Sequence, residues 1–515
     1  MPGSSKDNSI PFKTPFEHRE AEYLEATSKL NQLNQDNLVW LATSLACRQT
    51  HLVSLYGKHD RQIYNQVSLK RNLLSTLVEL GVRSLGSRLM LWRKGIRWPR
   101  SKKVFRRIFY TFHFHTKGWG GEKAYHDPVW GEVLEESKDE PTLVISNIFC
   151  GVKDYFLHLR KEKVVHDSLL FYPIDAFLPF WKLPILCLQS VFVAIKTPSS
   201  LVFKDADMRE ALKENIRASR WSGEILKNLA LYHAYGNLLR KAEINELFYY
   251  WENHPWNIML LKAKERWAPA AVSVAFQHGQ LPAYLLNHFP TKTDGPCLPL
   301  PDRLMTSGDD PGSLLSNLGF FDEKSIRTGC ALRHGYIFDL PRKSEPLPKQ
   351  MRIGLATPCV LSSTLSCLEK VNLFLDGLSL EVKLRMYPLV SEAEVRKSMG
   401  KAINRYTFDR GSLGAFLNDI DVLIYSETSL GAFGLWVGVP VIYLDVGKGK
   451  AGDLLYQYES IKWSASSVED LIRAWNEIEG LDDTELKGLR EDWVQVVKNT
   501  FRPVSPEGVE AFLKS

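Results

Sequence analysis

The chain has 515 residues, 44% hydrophobic and 24% charged, which is the profile of a globular protein too long for one ordinary core. Its 65 basic and 59 acidic residues leave a net charge of +6, too mild to call for nucleic acid, and no nucleic-acid partner is expected. The cysteines (Cys47, Cys150, Cys187, Cys297, Cys330, Cys359 and Cys367) are dispersed with no C-x-x-C pair; no pair has the spacing of a zinc site, and the set suits a reducing, cytoplasmic compartment.

In chain order, residues 1–15 are polar and hold no apolar signal-peptide core. Residues 1–120 lack strand-like alternation and read as a helical region, with Leu73, Leu74, Leu77, Val78 and Leu80 at helical spacing. Residues 91–114 are basic and aromatic. Arg93, Lys94, Arg97, Arg100, Lys102, Lys103, Arg106 and Arg107 stand there without an acid, interleaved with Trp92, Trp98, Phe105, Phe109, Tyr110, Phe112 and Phe114. Cations beside aromatic rings suit an anionic membrane surface, so this run is expected to hold the chain at the inner face of the cytoplasmic membrane. The competing reading is a basic helix face packed on the protein's own acids.

The pattern changes after residue 120. Residues 142–147 (TLVISN) predict a buried strand, with a helix from Val152. Residues 183–195, between Lys182 and Lys196, are the most lipid-like stretch. They fall short of the roughly 20 residues of a spanning helix and read as a buried or interfacial segment. A long helical stretch over 208–246 leads to strands at 247–251, 272–276 and near 303–307. Such alternation implies a parallel sheet covered on both faces. Asp205-Ala206-Asp207 matches a D-x-D metal motif, but it sits where a helix begins and the dipole favours acids. Residues 308–311 (GDDP) read as a turn, and no metal is expected.

Residues 341–350, rich in proline and charge, read as a linker, after which strands at 352–356, 382–386, 422–425 and 439–444 alternate with helices. The expected fold class is α/β, with two Rossmann-like doubly wound domains and a cleft between them. Residues 1–120 are expected to form the helical N-terminal region, 121–340 the first Rossmann-like domain and 341–515 the second.

Two constellations carry the chemistry. Around residues 421–444 (DVLIYSETSLGAFGLWVGVPVIYL) a buried strand is followed by Ser426, Thr428 and Ser429, and then by a helix. Free amides, the helix dipole and small hydroxyls favour a phosphate there; the alternative is that Ser426 or Thr428 is an N-cap. Gly438 and Pro440 make a tight entry into the next strand and stand with the three hydroxyls as donor-binding candidates. In the first domain, FYYWENHPW (248–256) and AFQHGQ (275–280) each read as a strand ending in polar residues. That brings Glu252 and His278 to one rim, where a carboxylate and an imidazole suit proton abstraction and anion stabilisation. The alternative is that Glu252 caps a helix and His278 bonds backbone. Asn253, Gln277 and Asp154 are the neighbouring candidates for acceptor binding or support.

The E-N-x-P-W segment followed by Q-H-G resembles bacterial surface-carbohydrate glycosyltransferases of GT-B type, including the capsule Kdo transferases. The resemblance covers about residues 245–445. It implies a GT-B-like fold and transfer of a Kdo- or sialic-acid-like ulosonic acid from its CMP form to a surface polysaccharide or lipid-linked glycan. The nucleotide sugar is then the substrate, with no cofactor and no metal. Gly329 to Arg333 resembles the family's glycine-to-arginine turn, which puts Arg333 at the donor. Tyr387-Pro388 stands where His-Pro is common, so Tyr387 joins the donor set, and Asn257 stands where a second acid commonly follows the tryptophan. Two other functions fit the same residues: a teichoic-acid-type polyol-phosphate transferase with a CDP donor, and a non-catalytic partner in a membrane assembly.

Overall fold

The computed structural model describes residues 18–48, 72–96, 102–112, 127–147, 151–161, 165–166, 169–199, 202–203, 206–207, 209–283, 285–295, 297–376, 380–447 and 452–514. Arg97, Trp98, Arg100, Phe114, Cys150, Asp205 and residues 1–15 lie outside them.

The first half of the chain builds one eight-stranded sheet. After α1 (His18–Leu33) and α2 (Leu73–Arg93) come β1 (Lys103–Thr111), β2 (Thr142–Ser146), α3 (Val152–Lys161), β3 (Val165–His166) and β4 (Leu169–Pro173). Next are α4 (Leu183–Phe192), a small hairpin of β5 (Val202–Phe203) and β6 (Ala206–Asp207), and α5 (Glu224–Lys241). β7 (Ala242–Tyr250), α6 (Pro255–Trp267), β8 (Val272–Gln277), β9 (Arg303–Thr306), α7 (Asp309–Leu318) and β10 (Ile326–Thr328) complete the half. The order is β10-β9-β8-β7-β1-β2-β4-β3, parallel throughout except for the β3 edge. β2 and β9 are buried along their length, and β1 and β7 over their carboxyl-terminal halves, as a sheet covered on both faces requires.

The helical reading of residues 1–120 fails at β1, a central strand between β2 and β7. Phe105, Ile108, Phe109 and Tyr110 are buried in the core. Within β1, Arg107 lies opposite Glu246 in register and pairs with it at 2.9 Å, and with Glu140 at 2.9 Å. Arg106 and Arg107 are therefore turned to the protein's own acids. Arg107 is enclosed, and Arg106 lies 3.6 Å from Glu140.

The N-terminal helices dock by a buried polar knot. Arg48 meets Asp294 at 2.5 Å, Asn31 donates to the same carboxylate at 2.9 Å, and Asp294 also accepts from the Thr291 amide at 2.8 Å. Every oxygen of Asp294 is thereby bonded, which offsets its desolvation.

The second sheet contains β11 (Ile353–Ala356), β12 (Val382–Arg385), β13 (Tyr406–Phe408), β14 (Val422–Tyr425), β15 (Val441–Leu444) and β16 (Trp463–Ala465), with α8 (Leu430–Val437) between β14 and β15. Its order is β13-β12-β11-β14-β15-β16, all parallel. Both units are thus Rossmann-like and doubly wound. After α9 (Asp483–Thr500) the chain crosses back to the first sheet and ends in α10 (Pro506–Leu513). The Arg502 amide donates to the Ser307 carbonyl at 2.7 Å, and Phe512 packs edge-on against Phe276 with centroids 5.0 Å apart.

Candidate functional site

Both sheets reverse direction of growth at one place. In the first, β1 is followed outward by β2 and β4, and the chain then returns to lay β7 on the other side of β1. In the second, β11 is flanked by β12 on one side and β14 on the other. Ligands in open α/β sheets bind outside the carboxyl ends at such switch points. Glu252 follows β7, and Ser426 follows β14, so each stands at the switch point of its sheet.

The turn after β7 is held by amides. Trp251 extends the pairing by donating to the Phe276 carbonyl at 2.7 Å. Asn257 donates to the Tyr250 carbonyl at 2.9 Å and accepts from the His254 amide at 3.0 Å. Asn287 donates to the Glu252 carbonyl at 2.5 Å, and Asn253 donates to the Asn287 carbonyl at 2.7 Å. Asn253 has φ 47°, a left-handed conformation that asparagine tolerates better than most residues. Pro255 then opens α6 at its first position, where the missing amide costs nothing. Asn257, where the resemblance expects an acid, is a brace.

This turn brings Glu252 and His278 together, with Nε2 of His278 3.9 Å from Oε1 of Glu252. His254 Nδ1 is closer, at 3.3 Å from Oε2. The Glu252 side chain is 22% exposed. Burial pushes its carboxyl up to about 7, against the Trp256 indole and the Arg333 charge, which pull it down. Burial also drives the histidines neutral: His254 to about 4, His288 and His334 to about 3, and His278 well below its ordinary value, with Arg333 adding to the effect. Near neutral pH this rim therefore holds a half-ionised carboxyl among uncharged imidazoles, with Arg333 as its nearby cation. A carboxyl tuned to that range suits a general base.

Of the other first-domain candidates, Arg333 is exposed and within electrostatic reach of both Glu252 and His278. Gln277 is buried with its amide committed: its Oε1 accepts from the Ser307 amide and hydroxyl at 3.0 and 3.1 Å, and its Nε2 donates to the Gly279 carbonyl. Asn253 is buried and braces the turn. Asp154 is exposed in the first turn of α3, beyond β2 on the far side of β1.

In the second domain Ser426 is fully buried, and its hydroxyl has no partner. Glu427 has φ 49°, a strained left-handed conformation for a long side chain. Ser429 occupies the N-cap position of α8 without a side-chain cap bond, and the Thr428 hydroxyl reaches the Leu430 amide only at 3.5 Å. Beyond that one long bond, the first amides of α8 lack the side-chain partners an N-cap supplies. Gly431 lets α8 press on β14, since a Cβ there would stand 2.6 Å from the Tyr425 ring. Tyr387 follows β12 at the same edge, 36% exposed, and its amide donates to the Thr357 hydroxyl at 3.3 Å.

Gly438 and Pro440 stand apart from this group. Gly438 ends α8 with φ 89°, and Arg490 donates to its carbonyl at 3.0 Å. The eight residues of α8 separate it from Ser429 by about 12 Å. Its glycine is required by the helix end, and Pro440 leads into β15.

The two switch points are linked through residues 333–336. The His334 ring lies 5.4 Å from Phe433 in α8 and 5.1 Å from Phe501, and Tyr336 lies 6.1 Å from Phe433. Arg333 therefore stands between the carboxylate rim and α8. Composition alone pointed to none of His254, His288, His334 or Tyr336. His254 lay inside the E-N-H-P-W string, and the other three come from segments with no motif.

The fold and the rim define an α/β protein of two doubly wound domains whose switch points are joined by one short cationic segment. No family model matches the chain, and no curated protein matches it. Among solved structures it is similar to CalG4, the calicheamicin glycosyltransferase, at 12% identity over 81% of this chain and 99% of that one, with a TM-score of 0.45. It is also similar to the wall teichoic acid polymerase TagF, at 13% identity over 88% of this chain and 93% of that one, TM-score 0.38. A third is the UDP-N-acetylglucosamine 2-epimerase from Rickettsia bellii, at 11% identity over 77% and 96%, TM-score 0.40.

Proposed function

We propose that this chain is a nucleotide-sugar-dependent glycosyltransferase of GT-B-like design. The observation that carries the reading is the pairing of two unlike switch points: a carboxyl with a pKa of about 7 at one, and an uncapped helix start with a buried, unpartnered hydroxyl at the other. In this reading Ser426, Thr428, Ser429 and the first amides of α8 hold the donor phosphate, and Tyr387 lies beside it. Glu252 takes the proton from an acceptor hydroxyl as its oxygen attacks the anomeric carbon. The bond from that carbon to the phosphate oxygen breaks, and the nucleotide leaves with the electron pair. Arg333 and the α8 amides stabilise the departing charge, and neutral His278 adds a hydrogen bond. No step uses a metal.

The donor we favour is a CMP-linked ulosonic acid passed to a surface polysaccharide or lipid-linked glycan, on the strength of the E-N-x-P-W and Q-H-G segments. Thermal denaturation with CMP, CDP and UDP tests the reading, because a bound nucleotide at about one hundred times its dissociation constant stabilises by roughly 2–3 kcal/mol. A preference for CMP supports the ulosonic donor. A preference for CDP would move the assignment to polyol-phosphate transfer, and no response to any nucleotide would replace the enzyme with a non-catalytic assembly partner.

A further inference from the structure

The outward side of a surface helix is ordinarily polar. That of α2 is not. Leu74, Val78, Val82, Leu85, Leu89 and Trp92 recur at intervals of three and four, each 44% to 68% exposed. They lie opposite the buried stripe of Leu73, Thr76, Leu80, Ser84, Ser87 and Leu91. The neighbouring α4 and the turn before it do the same with Phe180, Trp181, Ile185, Leu188 and Phe192, which are 37% to 75% exposed. The two surfaces join: Arg88 of α2 lies 5.4 Å over both the Phe180 and Trp181 rings and donates to the Leu178 carbonyl at 2.6 Å. The result is one apolar face rather than scattered residues.

The charge around this face has one sign. Residues 72–96, 151–161 and 174–199 carry nine lysines and arginines against three acids. Glu79 is paired with the buried Arg83 at 2.8 Å and Asp175 is buried, which leaves eight cations against the exposed Asp154. We propose that the α2–α4 face lies on an anionic lipid bilayer. The apolar stripe enters the boundary between headgroups and acyl chains, Trp92 and Trp181 sit at headgroup level, and the cations meet lipid phosphates. None of the described helices is long and apolar enough to cross a membrane, so the contact is in-plane. A second copy of the chain is a poorer occupant, because a two-fold contact would set this cationic rim against itself. The inward side of α2 lines, with Thr76 and Arg83, a cavity that Asn147, just past the carboxyl end of β2, also lines. The bilayer would thus lie along the edge of the sheet that carries Glu252.

Flotation of the full-length chain with phosphatidylcholine vesicles, with and without phosphatidylglycerol, tests this independently of any nucleotide. The wild type should float with the anionic vesicles, and added salt should weaken it. The double variant Leu85→Glu/Leu188→Glu should bind at least about tenfold less with an unchanged melting curve, since both side chains are exposed. Leu389→Glu, at an 83% exposed leucine of the second domain, should bind as wild type. No flotation, or equal flotation of the double variant, overturns the proposal. So does light scattering that finds a dimer which the double variant dissociates, because the face would then belong to a second copy.

Discussion

Replacing Glu252 by glutamine should move stability and catalysis in opposite directions. Burial lifts this carboxyl from 4.5 to about 7. A carboxyl whose folded pKa exceeds its unfolded one holds its proton more tightly when folded. Its contribution is complete below about pH 4.5 and is lost as the pH rises through about 7. The shift amounts to about 3 kcal/mol at most, taking roughly 1.4 kcal/mol per unit. Glutamine keeps the shape and cannot ionise. Glu252→Gln should therefore be more stable than wild type by up to about 3 kcal/mol near pH 8, with the difference vanishing toward pH 4.5. Transfer should fall by roughly 10²–10⁴-fold, the usual worth of a positioned base. Wild-type kcat/KM should rise with pH through about 7, because the base acts when ionised. Urea denaturation of both proteins across this range, beside product formation, measures each quantity. A variant less stable than wild type near pH 8 would mean that His254 or the turn binds the ionised carboxylate, and the reasoning from burial would be refuted. Full activity would remove Glu252 as the base.

The buried histidines give the protein an acid limit. His254, His288 and His334 are held neutral down to about 4, 3 and 3, chiefly by burial. A base with a depressed folded pKa supports the fold above about 6.5, and that support is lost as the pH falls, at roughly 1.4 kcal/mol per unit and group. Calorimetry near pH 5 should find net proton uptake on unfolding, and none would contradict the placement of these rings. Ser426→Ala removes a buried unpartnered hydroxyl, so stability should hold or rise by about 1 kcal/mol while the nucleotide response shrinks. A clear loss of stability would show the hydroxyl to be bonded within the protein. Gly438→Ala should cost about 1–2 kcal/mol, from the left-handed φ and the Lys343 carbonyl 3.0 Å from the new Cβ. Nucleotide affinity per folded molecule should stay unchanged; weaker affinity at unaltered stability would return Gly438 to the donor site.

The parallel strands were legible where they are runs of apolar residues, as at β2, β14 and β15, because sheets covered on both faces need little alternation. β1 was not, because Arg106 and Arg107 interrupt its pattern, and the acids that accept them, Glu140 and Glu246, lie far along the chain. β13 and β16 are edge strands of three residues each, too short to carry a period. The meeting of Glu252 and His278 could be read from two strand ends because adjacent parallel strands in register bring their carboxyl ends to one rim. Gly438 and Pro440 show the limit of such reading: they are close to Ser429 in sequence, but a helix sets them apart from it. The apolar face of α2 was visible as helical spacing. Its six outward residues became distinguishable from the core stripe only once the packing partners of the helix were known.

A crystal structure of the chain with CMP tests the central claim most directly. The account predicts the phosphate within hydrogen-bond distance of the Ser426 hydroxyl and the first amides of α8, with Arg333 turned toward it and Glu252 facing the open side of the donor site. Nucleotide bound away from both switch points, or a phosphate held elsewhere while Ser426 stays unpartnered, would contradict it.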